Sequence, residues 1–186
     1  MAVFTDAPTD SAQIMHPDRY FAHEQPGRPA LPQAPSLKGA EEITEGSVGE
    51  FDHTMLLRQF VDEGQASALA PHLRGGQFRI AAVGKERKPV LQYSSEWDSP
   101  ENASAFFALY PKVLSGKWKH CDISLVNRSV LAGTGDAGMF VVRLSGKLVS
   151  SLEGLSDAEE WQRLKHLSIE NTGDRGIVRQ MVLSDN

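Results

Sequence analysis

The chain has 186 residues, 40% of them hydrophobic and 23% charged, and a net charge of −5. That length holds one domain with appendages and buries a core without metal or disulfide staples, while the acidic balance leaves no electrostatic footprint for a nucleic-acid partner. The single cysteine, Cys121, excludes an internal disulfide and suits a reducing, cytoplasmic compartment.

Six of the ten prolines fall at Pro8, Pro17, Pro26, Pro29, Pro32 and Pro35, where large apolar residues are few. Their missing backbone donors disfavour helix and central strand alike. Residues 1–46 are therefore expected to form an extended Pro-rich arm, with polyproline-type chain at 26–35. The N-terminus lacks the basic and apolar regions of a secretory signal, and no apolar run approaches the ~18 residues of a membrane span. Within the arm, Ile14, Met15, His16, Pro17, Tyr20 and Phe21 bring large groups together in a short segment. An exposed cluster of this kind packs on something, the protein's own domain or a partner.

Residues 47–186 read as a single α+β domain. Val48, Phe51, Met55, Leu56, Phe60 and Val61 recur at helical spacing, with Gly64 as a stop. A shorter helix over 66–73 ends at Gly75 and Gly76. The period then changes: Phe78, Ile80 and Ala82 alternate with polar Gln77 and Arg79, as in a half-buried strand. Residues 85–88 turn the chain, and 90–97 return it. Ser99 is a good N-cap with Pro100 in the first turn, and Ala103, Phe106, Phe107, Tyr110, Val113 and Leu114 form a broad apolar stripe ended by Gly116. Pro111 inside that stripe predicts a kink or restart. Short strands follow near Ile123 and Leu125 and over 130–132. Residues 140–144 and 148–152 flank Ser145-Gly146, a hairpin turn. Ser156-Asp157-Ala158-Glu159 is a capping box opening a helix that carries Trp161, Leu164 and Leu167, and 177–183 is apolar enough for a last strand. Helices alternating with hairpins imply an antiparallel sheet with helices packed on one face.

Catalytic motifs are scarce. Gly133-Thr-Gly135-Asp-Ala-Gly138 matches the dinucleotide fingerprint by letter, but the residues after it read as strand, where a phosphate site needs a helix N-terminus. None of the six histidines has a second one a helical turn away, and the Lys85 to Lys88 and Lys112 to Lys119 clusters read as solvated faces. His120 and Cys121, adjacent on a strand, point to opposite faces and make a poor base and nucleophile pair. Trp97 and Asp98 join a strand to a helix, either as a pocket rim or as a lid and a cap. Trp118, between Lys117 and Lys119, is placed either to meet a partner or to fold back on the core.

Several segments in order resemble one family. Ser11-Ala-Gln-Ile-Met-His16-Pro17-Asp-Arg-Tyr20 is similar to the ST-x-Q-hydrophobic-LHP-x-x-Y segment of large bacterial HExxH metallopeptidase-like (peptidase MA-like) proteins. There it follows the zincin portion and leads into a C-terminal α+β region. Gly49-Glu50 with Leu56-Leu57 resembles that region's LGE helix start, and Gly75-Gly76-Gln77-Phe-Arg its GWGGDR hairpin. Trp97-Asp98 with Ala103 and Phe107 resembles its WDT-x-x-DA-x-x-F step, and the stretch from Gly146 to Gly154 its closing hairpin. The family's aspartate after the paired glycines is Gln77 here, its tryptophan before them is absent, and the HExxH helix is missing. The resemblance implies the non-catalytic C-terminal module of that family, without an activity.

The expected function is thus a non-enzymatic interaction or structural subunit, docking to a protein partner or larger assembly through Met15, His16, Tyr20, Phe21 and Trp118. Two other readings stay open. One is a small-molecule module with a cleft near Tyr93, Trp97 and Asp98. The other is an enzyme using Cys121 with a remote histidine. No cofactor or metal is expected.

Overall fold

The computed structural model describes residues 6–170. Two short helices come first, α1 (Ser11–Met15) and α2 (Pro17–Phe21), followed by chain without helix or strand and a 3-10 turn at Pro35–Leu37. The remaining elements are β1 (Glu41–Val48), α3 (Glu50–Phe60), α4 (Glu63–Leu69), β2 (Leu73–Val83), β3 (Lys88–Trp97) and α5 (Pro100–Lys117), then β4 (Cys121–Val126), β5 (Val130–Gly135), β6 (Gly138–Ser145), β7 (Leu148–Leu155) and α6 (Ala158–Glu170). The strand expected over 177–183 lies outside the described residues.

Among the described residues, seven strands join one antiparallel sheet in the order β1-β2-β3-β7-β6-β5-β4. Hairpins account for the neighbours β2-β3, β4-β5, β5-β6 and β6-β7. Of the other two pairs, β1 and β2 are joined through α3 and α4, and β7 returns to pair with β3, setting Tyr93 opposite Ser151 and Leu91 opposite Glu153. The excursion through α5 and three strands thereby closes on the first hairpin. The glycine fingerprint of the sequence is the β5–β6 hairpin itself, with Gly135 opposite Gly138. Gly133 needs its missing side chain for another reason: a Cβ there would lie 2.0 Å from the Asp122 carbonyl oxygen of β4.

Helices occupy both faces of the sheet, not one. On the first, Leu57, Leu69, Phe106, Tyr110 and Leu114 of α3, α4 and α5 pack on Tyr93, Trp97, Phe140, Val142 and Val149. On the second, Trp161 and Leu164 of α6, with Ala34 and Leu37, cover Ala81, Val90, Val130, Val141 and Leu152. The reason is legible in the central strands, where successive residues such as Phe140, Val141 and Val142 are all apolar and all buried. A strand apolar on both sides must be covered on both sides.

Local chemistry sets the helix ends. Asp10, Asp62 and Ser99 each accept a backbone N–H from the first turn of α1, α4 and α5. At α6 the acceptor is Asp157, whose Oδ1 takes the N–H groups of Glu159 and Glu160, so the cap is the residue after Ser156. Helix α5 runs through Pro111 as one element. Its buried stripe continues on both sides of the proline, with Phe107 and Tyr110 before it and Val113 and Leu114 after it. Tertiary packing thus outweighs the local cost of a missing donor.

Residues 6–40 do not stand off as a free extended arm. The boundary expected at 46/47 falls inside β1, and the described residues before β1 are folded back on the sheet. Gly27 donates its N–H to the Arg74 carbonyl at 2.7 Å, Gln92 Nε2 to the Pro32 carbonyl at 2.7 Å, and Ser36 N–H to Glu160 Oε1 at 2.7 Å. The segment therefore reaches from Arg74 at the start of β2 to α6. Proline enrichment marks a chain that cannot enter a sheet; it does not keep that chain from lying against one.

Candidate interaction site at the N-terminal helices

Most residues behind the family resemblance come together at one place, where α1 and α2 meet the start of α3. Glu50, the first residue of α3, is 2% exposed. Its Oε1 lies 2.7 Å from His16 Nε2, and its Oε2 accepts a longer bond of 3.4 Å from Arg19 Nη1. Arg19 also donates to the Pro71 carbonyl at 2.7 Å, which ties α2 to the turn after α4. A buried carboxylate needs such partners, and its place in the first turn of α3 adds the favourable end of the helix dipole.

Neighbouring contacts fix the approach of α1. Ser11 Oγ accepts the Phe51 N–H at 3.1 Å, and a Cβ on Gly49 would come within 2.4 Å of that hydroxyl oxygen. Gln13 is buried and spans the unit, accepting the Thr9 N–H at 2.7 Å and donating to the Glu24 carbonyl at 2.7 Å. Gly75, at φ +152°, sits so close to the returning chain that a Cβ would lie 2.3 Å from the Gly27 carbonyl oxygen. The His16-Pro17 segment, Gly49-Glu50 and Gly75-Gly76 are thus parts of one joint. Beside it lies a cleft of about 320 Å³ lined by Asp10, Arg28, Glu50, Gly76 and Gln77 among others.

The outward side of the joint is apolar. Ile14 and Phe21 are 70% and 73% exposed, and Met15, Phe51 and Met55 are exposed as well. Helix α3 explains the last two: Glu50, His53, Thr54 and Leu57 turn inward, so Phe51 and Met55, one turn apart, take the opposite flank. In sequence both belong to the helical apolar spacing of 48–61, which does not say which flank is buried. Nor does the sequence mark Glu50 and Arg19 as partners of His16; a charged residue opening a helix reads first as a surface group.

The expected site residues therefore separate. Met15 and Phe21 face outward, and His16 faces Glu50. The Tyr20 hydroxyl donates to the Asp6 carbonyl at 2.6 Å, with its ring edge-on to Phe21. Trp118 lies far along the chain and folds back, its ring 5.5 Å from Phe140 with the Lys117 ammonium above it. A Cβ on Gly135 would strike that indole at 2.1 Å.

The residues of the other two readings lie under α5. Trp97 is fully buried, with Phe106 4.7 Å away and its indole N–H given to Ser95 Oγ. Asp98 bonds Asn102 and His72 at the start of α5. Burial works against its charge, but the Asn102 and His72 bonds outweigh it and hold the carboxyl below its usual range. Tyr93 is 2.5 Å from His53 Nε2, and His53 Nδ1 is 3.1 Å from the Gly49 carbonyl. These partners assign the tautomer: Nδ1 donates and Nε2 accepts the tyrosine proton. Burial pushes His53 down to about 4 and pushes the Tyr93 hydroxyl up, so both are neutral at pH 7. Glu153, also buried, accepts from Tyr110 at 2.9 Å, from Ser151 at 2.8 Å and from Lys117. Burial pushes the Cys121 thiol up, although Ser115 bonds to it, which lowers its thiolate fraction at neutral pH.

Among the described residues, no three His, Cys, Asp or Glu side chains gather as a metal-ligand set, and no helix is long and apolar enough to cross a membrane. No protein-family model and no curated protein sequence matches the chain.

Proposed function

We propose that this chain is a non-enzymatic interaction or structural module that meets a protein partner through the outer side of its N-terminal helices. The observation that carries the reading is an apolar surface on a rigidly held support. Ile14, Met15, Phe21, Phe51 and Met55 are exposed on helices fixed from behind by Glu50, His16 and Arg19. Exposed apolar groups on a preorganised surface bind without an ordering cost. The family resemblance fits the same reading, because its shared residues act here as joints and caps. His16 meets Glu50, Gly75 meets Gly27, and Asp98 meets His72.

The contact surface proposed here is the outward flank of a folded-back segment and not a freely reaching arm. The test is a pair of surface charges, Ile14→Glu and Met55→Glu, introduced into the native protein. Both side chains are already in water, so the melting temperature should hold within a few degrees, while co-purification of the native partner should fall at least tenfold. Unchanged recovery with both variants would end this reading.

A further inference from the structure

The charge around the apolar flank of the N-terminal helices is one-sided. Residues 6–25 and 49–65, which carry α1, α2 and α3 and enter α4, hold eight carboxylates against two arginines, Arg19 and Arg58. That excess of six, with the histidines neutral, is larger than the −5 of the whole chain. The rest of the sequence is close to neutral, and the acidic field is concentrated here.

The cations of this region are already engaged. Arg19 turns inward to Glu50 and the Pro71 carbonyl. Arg58 pairs with Glu63 at 2.6 Å, and Arg74, arriving from β2, bonds Glu24. His16 faces Glu50, and His23 faces Asp6. Two cations without an ion pair among the described residues stand at the margins. Arg28 lines the cleft together with Asp10 and Glu45. Lys112, one turn before Gly116 on α5, lies toward the far end of α3, where a Cβ on Gly116 would strike the Phe60 ring. Asp18 and Asp52, by contrast, are exposed and meet no cation among the described residues. Asp18 precedes Phe21 by three residues on α2, and Asp52 precedes Met55 by three on α3. That spacing sets each carboxylate beside its apolar neighbour on the helix surface. Asp52 accepts the Gly49 N–H with one oxygen, which leaves the other without a partner.

We propose that the partner segment received by Ile14, Phe21, Phe51 and Met55 is basic. Its apolar side chains cover the flank, and lysines or arginines beside them meet Asp18 and Asp52. This inference rests on the surface assigned above and adds the chemistry of its occupant. Exposed ion pairs contribute little affinity each; they supply selectivity and speed of association. Charge argues against a second copy on the same face, because two acidic rims would then oppose each other. It argues against an anionic lipid surface for the same reason.

The test is fluorescence anisotropy of the full chain with three labelled peptides that share leucines at helical spacing and carry Lys, Gln or Glu at the remaining positions. At low salt the lysine peptide should bind at least tenfold more tightly than the glutamate peptide, with the glutamine peptide between them, and the gap should shrink at high salt. Asp18→Asn with Asp52→Asn should weaken the lysine peptide at least fivefold and leave the glutamine peptide unchanged. Asparagine at position 52 keeps an acceptor for the Gly49 N–H, so the melting temperature should hold. Removing the same charge at remote exposed sites, Glu86→Gln with Glu159→Gln, should change lysine-peptide binding less than twofold. Ile14→Ser with Met55→Ser should weaken the lysine and glutamine peptides alike. Equal binding of the three peptides, or equal loss from the two pairs of charge removals, overturns the basic occupant, while the apolar surface stands if the serine pair still weakens binding. No effect of the serine pair removes the surface itself and this inference with it. Absent binding of the lysine peptide also overturns the inference, as does a dimer in light scattering that Met55→Ser dissociates, since the occupant is then a second copy.

Discussion

Replacing Glu50 by alanine tests the joint on which the proposed surface rests. The wild-type carboxylate has one short contact, 2.7 Å to His16, and one long contact, 3.4 Å to Arg19. A hydrogen bond to a charged group contributes about 1.5–3 kcal/mol net, and breaking a fully buried pair costs about 3–5 kcal/mol. The His16 and Arg19 side chains keep 32% and 21% of their exposure, so water takes over part of what Glu50 supplied, and the lower range applies. Loss of an acidic group from the first turn of α3 adds about 0.5 kcal/mol. The expected destabilisation is about 2–3.5 kcal/mol in urea denaturation. His16→Ala should couple to it by about 1 kcal/mol in a double-mutant cycle. Trypsin offers a local readout, since Arg19 is held in α2 by Glu50 and the Pro71 carbonyl, and cleavage between Arg19 and Tyr20 should accelerate at least tenfold in Glu50→Ala. A change below 0.5 kcal/mol, or strict additivity with His16→Ala, would refute the reasoning, because the buried carboxylate would then not hold the helices.

Other outcomes follow from the same contacts. Gly75→Ala should cost about 2–4 kcal/mol, because its φ of +152° and the Gly27 carbonyl 2.3 Å from the new Cβ leave no room. Gly27→Ala meets the movable end of Glu96 at 2.6 Å and the Arg74 carbonyl oxygen at an ordinary 3.4 Å and should cost under about 1 kcal/mol; equal losses would contradict the assigned close approach. For His53, the folded-state value near 4 lies below the unfolded value of 6.5, so the unfolded chain takes up the proton first as pH falls. Its contribution is complete above pH 6.5 and is lost toward pH 4, amounting to about 2 kcal/mol between pH 7.5 and 5. A His53→Gln variant should lack that share of the pH dependence in denaturation curves at the two pH values. Glu153→Gln should cost about 1–2 kcal/mol by releasing Lys117 and should change Trp118 fluorescence, since the same ammonium lies over that ring.

Element types were legible where the apolar period was strong and the ends were chemically marked. The stripe of α5, the Ser99 cap, the β2–β3 hairpin and the turn at Gly146 all follow from local residues, because capping, turn geometry and side-chain period act over a few positions. What those positions could not settle was direction and company. Strand β1 carries three glutamates in eight residues, and only its place at the sheet edge makes that pattern tolerable. Phe51 and Met55 belong to an apolar stripe in sequence but lie on the outer flank, because the inner flank of α3 is taken by Glu50, His53, Thr54 and Leu57. Trp97 and Trp118 read equally well as rim or core until the sheet placed Phe106 and Phe140 against them.

The N-terminal segment shows the same division. Its prolines determined that it could not be a central strand, since the missing donors are a property of each residue. That it folds back, and that His16 finds Glu50 across 34 positions of chain, depends on contacts between residues remote in sequence. Such pairings are decided by the packing of the whole sheet and its helices, where burial makes an unpaired carboxylate costly and a paired one stable.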